Sequence, residues 1–209
     1  MTSTQRYLVQ GGKPVSGRIR CLGAKNFATK AMVAALLAEG STRLLNAPRI
    51  GDVEITRKLL AASGAKLDWS GDSDLAIDAS TIRSCDVPVP DSGSNRIPIL
   101  LLGVLLHRIG EAHVPVVAGC NIGARPVDFH LTAAKMFGAE IEVAPDGYRA
   151  RRNGPLKACH YRLPYPSVGA TESCLYLGVL AKGTSIIENV AIEPEIMALI
   201  TMLNTMGAR

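Results

Sequence analysis

The stretch Leu36-Leu37-Ala38-Glu39-Gly40-Ser41-Thr42 ends an apolar helical run at a glycine and leads into a β-like run, residues 43–46. The same pattern returns at Val179-Leu180-Ala181-Lys182-Gly183-Thr184-Ser185, which leads into residues 186–189. Glycine just after a helix is a common C-terminal stop. Two such similar passages predict a supersecondary unit that is repeated along the chain.

A second helical pattern follows each passage and ends at a glycine-alanine pair, Gly64-Ala65 in the first copy and Gly207-Ala208 in the last. A weaker middle copy starts from residues 105–110 and reaches Gly138-Ala139. The pairs recur at a spacing of roughly 70 residues, as expected for structural repeats. Acidic residues, Asp52 and Glu193, open the second helices of the first and last copies.

Two segments alternate between apolar and polar residues on either side of a turn, residues 66–78 and residues 140–150. This pattern is typical of β-hairpins, so the repeated unit is predicted to be helix, strand, helix, hairpin in an α/β fold. The helical stretches 28–38, 97–107 and 172–181 are apolar on most sides, and we expect them inside with the sheets around them. The third unit is expected to be incomplete, because the sequence stops where its hairpin would begin.

Composition favours a soluble protein that binds a small anion. The 209 residues are 47% hydrophobic and 20% charged, with a formal net charge of +5, which favours anionic partners. No basic block with interleaved aromatic residues and no zinc-ligand spacing is present, so a phosphorylated or carboxylated ligand is favoured over nucleic acid. The run Arg149-Ala150-Arg151-Arg152 is interpreted as a solvated face at a hairpin end.

The targeting signals and cysteines predict a cytoplasmic protein with free thiols. The five cysteines are odd in number and no pair has CxxC spacing, which is typical of a reducing compartment. The N-terminus lacks the apolar core of a signal peptide. The longest apolar run, residues 97–106, is far shorter than the roughly 20 residues that span a bilayer.

One loop places a thiol, a guanidinium and a carboxylate close together in sequence. It runs from Val117 to Asp128 and contains Cys120 and Arg125 between predicted regular elements. Its glycines favour unusual backbone conformations, and Pro126 suits the first turn of a following helix. Catalytic groups often lie on such loops. The alternative is a surface turn with an incidental cysteine.

Three helix starts carry groups suited to anions. They are Gly23-Ala24-Lys25-Asn26, the segment from Cys120 to Asp128, and Ser167-Val168-Gly169-Ala170-Thr171. Free N–H groups at helix N-termini bind anions, and Arg96 adds a further guanidinium at the start of the middle unit. We therefore predict that these starts converge on one anionic ligand. Ordinary helix capping at each start is the alternative.

At these motifs the chain resembles the UDP-N-acetylglucosamine enolpyruvyl transferases, also called 1-carboxyvinyltransferases. The match covers essentially the whole chain, and several ordered motifs make it specific. The related shikimate enzymes share the fold but lack the cysteine loop. The matching motifs are Gly11-Gly12, Gly23-Ala24-Lys25-Asn26, Leu37-Ala38-Glu39-Gly40, Gly119-Cys120-Asn121-Ile122-Gly123-Ala124-Arg125-Pro126-Val127-Asp128, Ser167-Val168-Gly169-Ala170-Thr171-Glu172 and Ile187-Glu188-Asn189.

The resemblance implies an inverse α/β barrel, in which each of two similar domains has three repeated units around buried helices. Residues 23–209 would be a truncated N-terminal domain. Residues 1–22 would be an N-terminal strand segment that, in the family, packs with the second domain. Family members are about twice this length, so the second domain and its aspartate base are expected to be missing. We therefore expect a fragment or one half of a split enzyme, prone to self-association.

The resemblance also implies an activity: transfer of the enolpyruvyl group from phosphoenolpyruvate to the 3′-hydroxyl of UDP-N-acetylglucosamine, the first committed step of peptidoglycan synthesis. No cofactor, metal, nucleic acid or membrane is implied. Cys120 and Lys25 would be catalytic, and the cysteine is the residue that fosfomycin alkylates in the family. The implied phosphoenolpyruvate-site residues are Lys25, Arg96, Cys120 and Arg125. The implied nucleotide-sugar contacts are Asn26, Arg125, Pro126, Val127, Asp128, Ser167, Val168 and Gly169.

Three departures from the family pattern keep other functions open. The loop reads Val117-Ala118-Gly119 where the family usually has a proline-glycine-glycine run, and Tyr165-Pro166 precedes Ser167 where a basic residue is common. The first helix also lacks the usual proline. The alternatives are a non-catalytic nucleotide-sugar-binding module or degenerate paralogue, and a transferase of the same fold with another nucleotide acceptor.

Overall fold

The computed structural model describes residues 6–90, 96–116 and 127–209. Helices and strands alternate along these ranges. In chain order they are α1 (Lys25–Ala35), β1 (Ser41–Leu44), α2 (Gly51–Ala62), β2 (Lys66–Ser70), β3 (Asp74–Asp78), α3 (Ile97–Arg108), β4 (Glu111–Pro115), α4 (Asp128–Met136), β5 (Ala139–Ala144), β6 (Gly147–Arg152), β7 (His160–Arg162), α5 (Val168–Gly178), β8 (Ile186–Glu188) and α6 (Pro194–Thr205).

The strands form small separate sheets. Two antiparallel sheets have the orders β1-β3-β2 and β4-β6-β5, and β7 pairs in parallel with β8. Alternate residues of β3 point inward, since Leu75 and Ile77 are fully buried. The hairpins β2-β3 and β5-β6 confirm the two that period-two alternation predicts.

The helices α1, α3 and α5 form the interior, as their apolar character predicts. In α3 every residue from 97 to 106 is buried, because a helix that is apolar all round has no face to present to water. The helix α2 is amphipathic and buries only Val53, Thr56, Leu59 and Leu60. The three inner helices therefore form the packed core.

The inner helices run side by side with their C-terminal ends together. At the end of α3, Arg108 donates to the carbonyls of Leu36 and Ala38 after α1, and His107 Nε2 donates to the carbonyl of Leu177 in α5, at 2.9 Å. These bonds satisfy carbonyl groups that helix ends leave without partners. The N-terminal ends of the three helices consequently lie on the opposite side of the layer.

The order α1-β1-α2-β2-β3 recurs as α3-β4-α4-β5-β6, and α5-β8-α6 follows the order of its first three elements. Matching backbone geometry supports the correspondence, since Asn46 after β1 and Asn189 after β8 have φ values of 56° and 55°. Asparagine enters this left-handed region more readily than most residues. The barrel of three repeated units remains a prediction.

Several predicted boundaries were wrong by up to a turn. The first helix begins at Lys25 rather than at residue 28. The helix α5 begins at Val168 rather than at residue 172, because Ser167 caps it one turn before the apolar run begins. It ends at Gly178. Strand β7, which lies outside the predicted unit, pairs with β8.

The predicted N-terminal strand does not form within the described residues 6–22, which carry no regular element. Their apolar side chains are almost fully exposed, with Leu8 at 100% and Val15 at 97%. Cys21, which the alternation places in a strand, is likewise exposed. A strand needs a partner for its backbone hydrogen bonds, and packing on a second domain remains a prediction. No helix in the described part of the chain is long and apolar enough to cross a membrane.

Candidate active site

Lys25 is the first residue of α1, where its ammonium lies at an exposed helix start. Its Nζ is 2.6 Å from Asp52 Oδ2 near the start of α2, and the two side chains are 59% and 39% exposed. Exposed ion pairs hold charges in place while adding little to stability. The pair thus joins two helix starts and leaves the ammonium accessible to a ligand.

Asn26 connects the same end of α1 to α6. Its Nδ2 donates to Glu195 Oε1 at 3.4 Å. Beneath this contact lies Glu172 of α5, which is buried. Burial raises the pKa of the Glu172 carboxyl, and the negative charge of Glu195 adds to this rise. The positive charge of Lys30 opposes it, and the resulting pKa is about 7. A carboxyl that titrates near neutrality therefore lies under the first helix start.

Arg96 directly precedes α3, and its positive charge acts on the buried His130 of α4. Burial first, and then the positive charge of Arg96, lowers the pKa of His130 to about 4. The imidazole is therefore neutral at physiological pH. Its Nδ1 lies 2.7 Å from Ser173 Oγ in α5. His130 thus links the starts of α3, α4 and α5.

Ser167 caps α5 in the ordinary way. Its Oγ accepts a hydrogen bond from the N–H of Ala170 at 3.3 Å, and its carbonyl accepts from the Thr171 hydroxyl at 2.8 Å. The capping interpretation therefore holds for this hydroxyl. The first N–H groups of a helix still lack intrahelical acceptors, so Val168 and Gly169 present backbone donors at this start.

The remaining starts differ from that of α5. Within the described ranges, the residues before α1, α3 and α4 make no side-chain cap bond: Ala24, Arg96 and Val127. Asp128 is exposed on the first turn of α4, where its negative charge interacts favourably with the helix dipole. At the starts of α1 and α4, no described side-chain cap therefore competes with a ligand for the first backbone N–H groups.

The structure brings eight predicted site residues to the starts of four helices and leaves three others undescribed. The eight are Lys25, Asn26, Arg96, Val127, Asp128, Ser167, Val168 and Gly169. The three are Cys120, Arg125 and Pro126, which lie outside the described residues. The binding roles of all eleven remain predictions.

His130 and Glu172 are the neighbours of this site that sequence reasoning missed as functional positions. The sequence signal for His130 is a histidine between two apolar residues, Phe129 and Leu131, in the segment that follows Asp128. Glu172 belongs to the matching motif that begins at Ser167, but the resemblance assigns it no role. Neither pattern indicates burial, because burial depends on α4 and α5 packing together.

The basic run in β6 takes no part in the site. Arg149 pairs with Glu142 and Asp146, at 3.5 and 3.3 Å. Arg151 pairs with Glu140 at 3.0 Å. The run fills the last four positions of β6. Arg149 and Arg151 are exposed, as the interpretation as a solvated face predicts, whereas Arg152 donates to the carbonyl groups of Leu106 and His107 at the end of α3.

Comparison with known families identifies the class of protein to which this chain belongs. The EPSP synthase family (3-phosphoshikimate 1-carboxyvinyltransferase) matches residues 9–209, and this chain belongs to that family. Solved enolpyruvyl transferases share the fold. The transferase NikO from Streptomyces tendae has a TM-score of 0.81 at 24% identity over 95% of this chain and 46% of its own. An EPSP synthase from Acinetobacter baumannii has a TM-score of 0.67 at 18% identity, over 87% of this chain and 42% of its own.

Among curated proteins, the chain is similar to enzymes named UDP-N-acetylglucosamine 1-carboxyvinyltransferase. It is 42% identical to that of Cellvibrio japonicus over 204 residues, which are 98% of this chain and 49% of the relative. It is also 42% identical to that of Protochlamydia amoebophila over 206 residues, 96% of this chain and 44% of the relative. The chain therefore spans about half the length of these relatives.

Proposed function

We propose that this chain is the N-terminal part of an enzyme that transfers the enolpyruvyl group from phosphoenolpyruvate to the 3′-hydroxyl of UDP-N-acetylglucosamine, in the first committed step of peptidoglycan synthesis. The observation that supports the proposal is that Lys25 and Arg96 lie at the starts of α1 and α3, at the same end of the inner layer. The names of the curated relatives support the choice of acceptor.

Phosphoenolpyruvate carries a phosphate and a carboxylate, and several fixed positive groups are needed to bind it out of water. Lys25 and Arg96 supply such groups at the starts of α1 and α3, and Arg125 of the loop supplies another. Backbone N–H groups at the start of α1 add donors without desolvating a further charge. This set suits a small polyanion better than a neutral ligand.

The reaction needs a proton at the methylene carbon of phosphoenolpyruvate when the sugar hydroxyl adds to the neighbouring carbon. Cys120 is the proposed acid for this step, with Lys25 at the anion. The new C–O bond forms as the hydroxyl proton passes to a base. Phosphate then leaves, and loss of a proton from the methyl group restores the double bond. The family resemblance assigns the base to an aspartate of a second domain.

The nucleotide-sugar is proposed to lie along the starts of α1, α4 and α5. Asn26 and the segment from Arg125 through Pro126 and Val127 to Asp128 would contact the sugar. Ser167, Val168 and Gly169 would lie around the diphosphate and uridine. His130 supports this surface by packing, because its buried ring lies against Gly169 and is held by Ser173.

The finer architecture belongs to the same proposal. We infer an inverse α/β barrel of three units for residues 23–209, with residues 1–22 packing against a second domain. The proposed location is the cytoplasm, where UDP-activated sugars are used, and fosfomycin is the proposed inhibitor through Cys120. Nucleic acid and membrane are not among the proposed partners.

Binding of UDP-N-acetylglucosamine, measured by titration calorimetry, tests the acceptor assignment. Asn26→Ala should weaken binding, whereas Asn153→Ala should not, because Asn153 hydrogen-bonds Glu140 on the far sheet. Phosphate release from phosphoenolpyruvate would then be measured with the 209-residue chain and with a longer polypeptide that includes a second domain. We expect turnover only from the longer polypeptide. Binding of neither substrate by either protein would contradict the proposal.

A further inference from the structure

Cys85, Asp86 and His113 form a cluster outside the proposed active site. Cys85 and Asp86 lie on the connection between β3 and α3, and His113 lies on β4. His113 Nδ1 is 2.7 Å from Asp86 Oδ1. One potential ligand atom from each of the three side chains lies within 4.8 Å of the other two. A thiol, a carboxylate and an imidazole thus face one point.

The backbone holds the connection against the strand at this place. The N–H of His113 donates to the carbonyl of Cys85 at 2.7 Å, and the N–H of Val87 donates to the carbonyl of His113 at 2.9 Å. These two bonds form a parallel bridge between Asp86 and His113. The three donor side chains therefore start from a backbone arrangement that needs no refolding to bring them together.

These three donors are the ligand types that Zn²⁺ prefers. Zinc binds sulfur at about 2.3 Å and imidazole nitrogen or carboxylate oxygen at about 2.0–2.2 Å, so donors of one tetrahedral ion lie roughly 3–4 Å apart. The observed separations require only small side-chain rotations. Asp86 and His113 can make them, since their side chains are 76% and 41% exposed.

The surroundings of the cluster are mainly acidic. Asp86 and His113 line a depression of about 250 Å³ together with Asp146 and Arg149. Arg149 lies opposite His113 in the strand register, and its charge alone would oppose a cation. Its guanidinium is paired with Asp146 and Glu142. Two carboxylates therefore offset the single guanidinium, and with Asp86 the local charge is negative.

We propose that Cys85, Asp86 and His113 bind one Zn²⁺ or a similar divalent ion, with water as the fourth ligand. On binding, the sulfur–zinc bond replaces the thiol S–H bond and the proton passes to solvent. The ion would tie the connection after β3 to β4. The spacing of 27 residues between Asp86 and His113 matches no short zinc motif, which is why sequence analysis finds none.

The test is competition for Zn²⁺ between the 209-residue chain and a chromophoric chelator, with Co²⁺ absorption as a report of thiolate ligation. We expect one site per chain and affinity reduced about tenfold or more by Cys85→Ser, Asp86→Asn and His113→Gln, since even outer-shell changes cost that much. Cys159→Ser and His160→Gln are matched controls. Cys159 is a half-buried thiol outside the cluster, and His160 is another exposed histidine paired with a carboxylate.

Circular dichroism would check that each variant folds. If Cys85→Ser does not fold, Asp86→Asn and His113→Gln decide, because both change exposed side chains. Unaltered zinc affinity in the folded cluster variants would overturn the proposal. Absence of zinc binding by the parent chain would also overturn it. Loss of zinc binding in Cys120→Ser alone would overturn it as well, because that result would place the ion on the loop. None of these measurements depends on transferase activity.

Discussion

A methyl group on Gly169 would lie 3.1 Å from Cε1 of His130. This close approach links the first turn of α5 to the side chain that joins it to α4. Such a distance is tighter than ordinary van der Waals contact, and the ring is also held by Ser173 at 2.7 Å. The position of one proposed ligand-binding start thus depends on the absence of a side chain there.

Gly169→Ala is expected to weaken UDP-N-acetylglucosamine binding and to destabilise the fold by about 1–3 kcal/mol, as overpacking does. Gly178→Ala in the same helix is the matched control, because its methyl group would lie 3.4 Å from the Phe137 ring. Alanine should be neutral or favourable at that position. Chemical denaturation and calorimetry would measure both effects. Equal behaviour of the two variants would contradict this account.

His130 should make the free energy of unfolding depend on pH. Its pKa is about 4 in the folded chain against an ordinary value of about 6.5, so the unfolded state binds more protons between these values. The contribution is present above pH 6.5 and is lost as pH falls towards 4, by roughly 3 kcal/mol at most. His130→Gln should remove it. Denaturation curves from pH 4 to 7.5 that keep the same pH slope in the variant would refute this.

Glu172 should act in the opposite direction. Its folded pKa of about 7 exceeds the ordinary value of about 4.3, so the folded state binds more protons in between. This contribution is present below pH 4.3 and is lost as pH rises through 7. Relative to the parent chain, Glu172→Gln should therefore gain stability from pH 5 to pH 8. A flat difference between the two unfolding free energies would show that Glu172 is ionised throughout.

Asp52→Asn tests the pairing that holds Lys25. We expect little change in the free energy of unfolding, because exposed ion pairs contribute little. Affinity for phosphoenolpyruvate should rise, since a carboxylate that competes for the ammonium is removed. Asp74→Asn is the control, because it removes the carboxylate of another ion pair, with Arg43 at 2.7 Å on the first sheet. The same affinity in both variants would argue against Lys25 as an anion-binding residue.

Cys120 should be alkylated by fosfomycin or a small electrophile ahead of the other thiols. Burial raises the pKa of the Cys85 and Cys159 thiols and raises that of Cys174 to about 12, which disfavours the reactive thiolate. Peptide mapping after limited labelling would identify the site, with Cys120→Ser as the control. Modification of Cys85 or Cys159 while Cys120 stays unlabelled would remove the chemical basis of its proposed role.

Local sequence patterns are enough to predict the main helices, both hairpins and the family. Alternation around residues 66–78 and 140–150 predicted both hairpins, and the apolar run from Ile97 predicted the central buried helix. These signals are local, since side-chain period and turn residues act within a few positions. The motifs from Lys25 to Glu172 predicted a family that the comparison confirms.

Which side chains meet depends on how the helices and strands pack. The pKa of Glu172 rises to about 7 because packing buries its carboxyl and brings the charge of Glu195 near it, and His130 stays neutral because α5 packs against its ring. Cys85 and His113 are brought together by a bridge between a connection and a strand. These relationships arise from packing between segments that are distant in sequence, where burial and neighbouring charge set the pKa of each group. No pattern within any one segment records them.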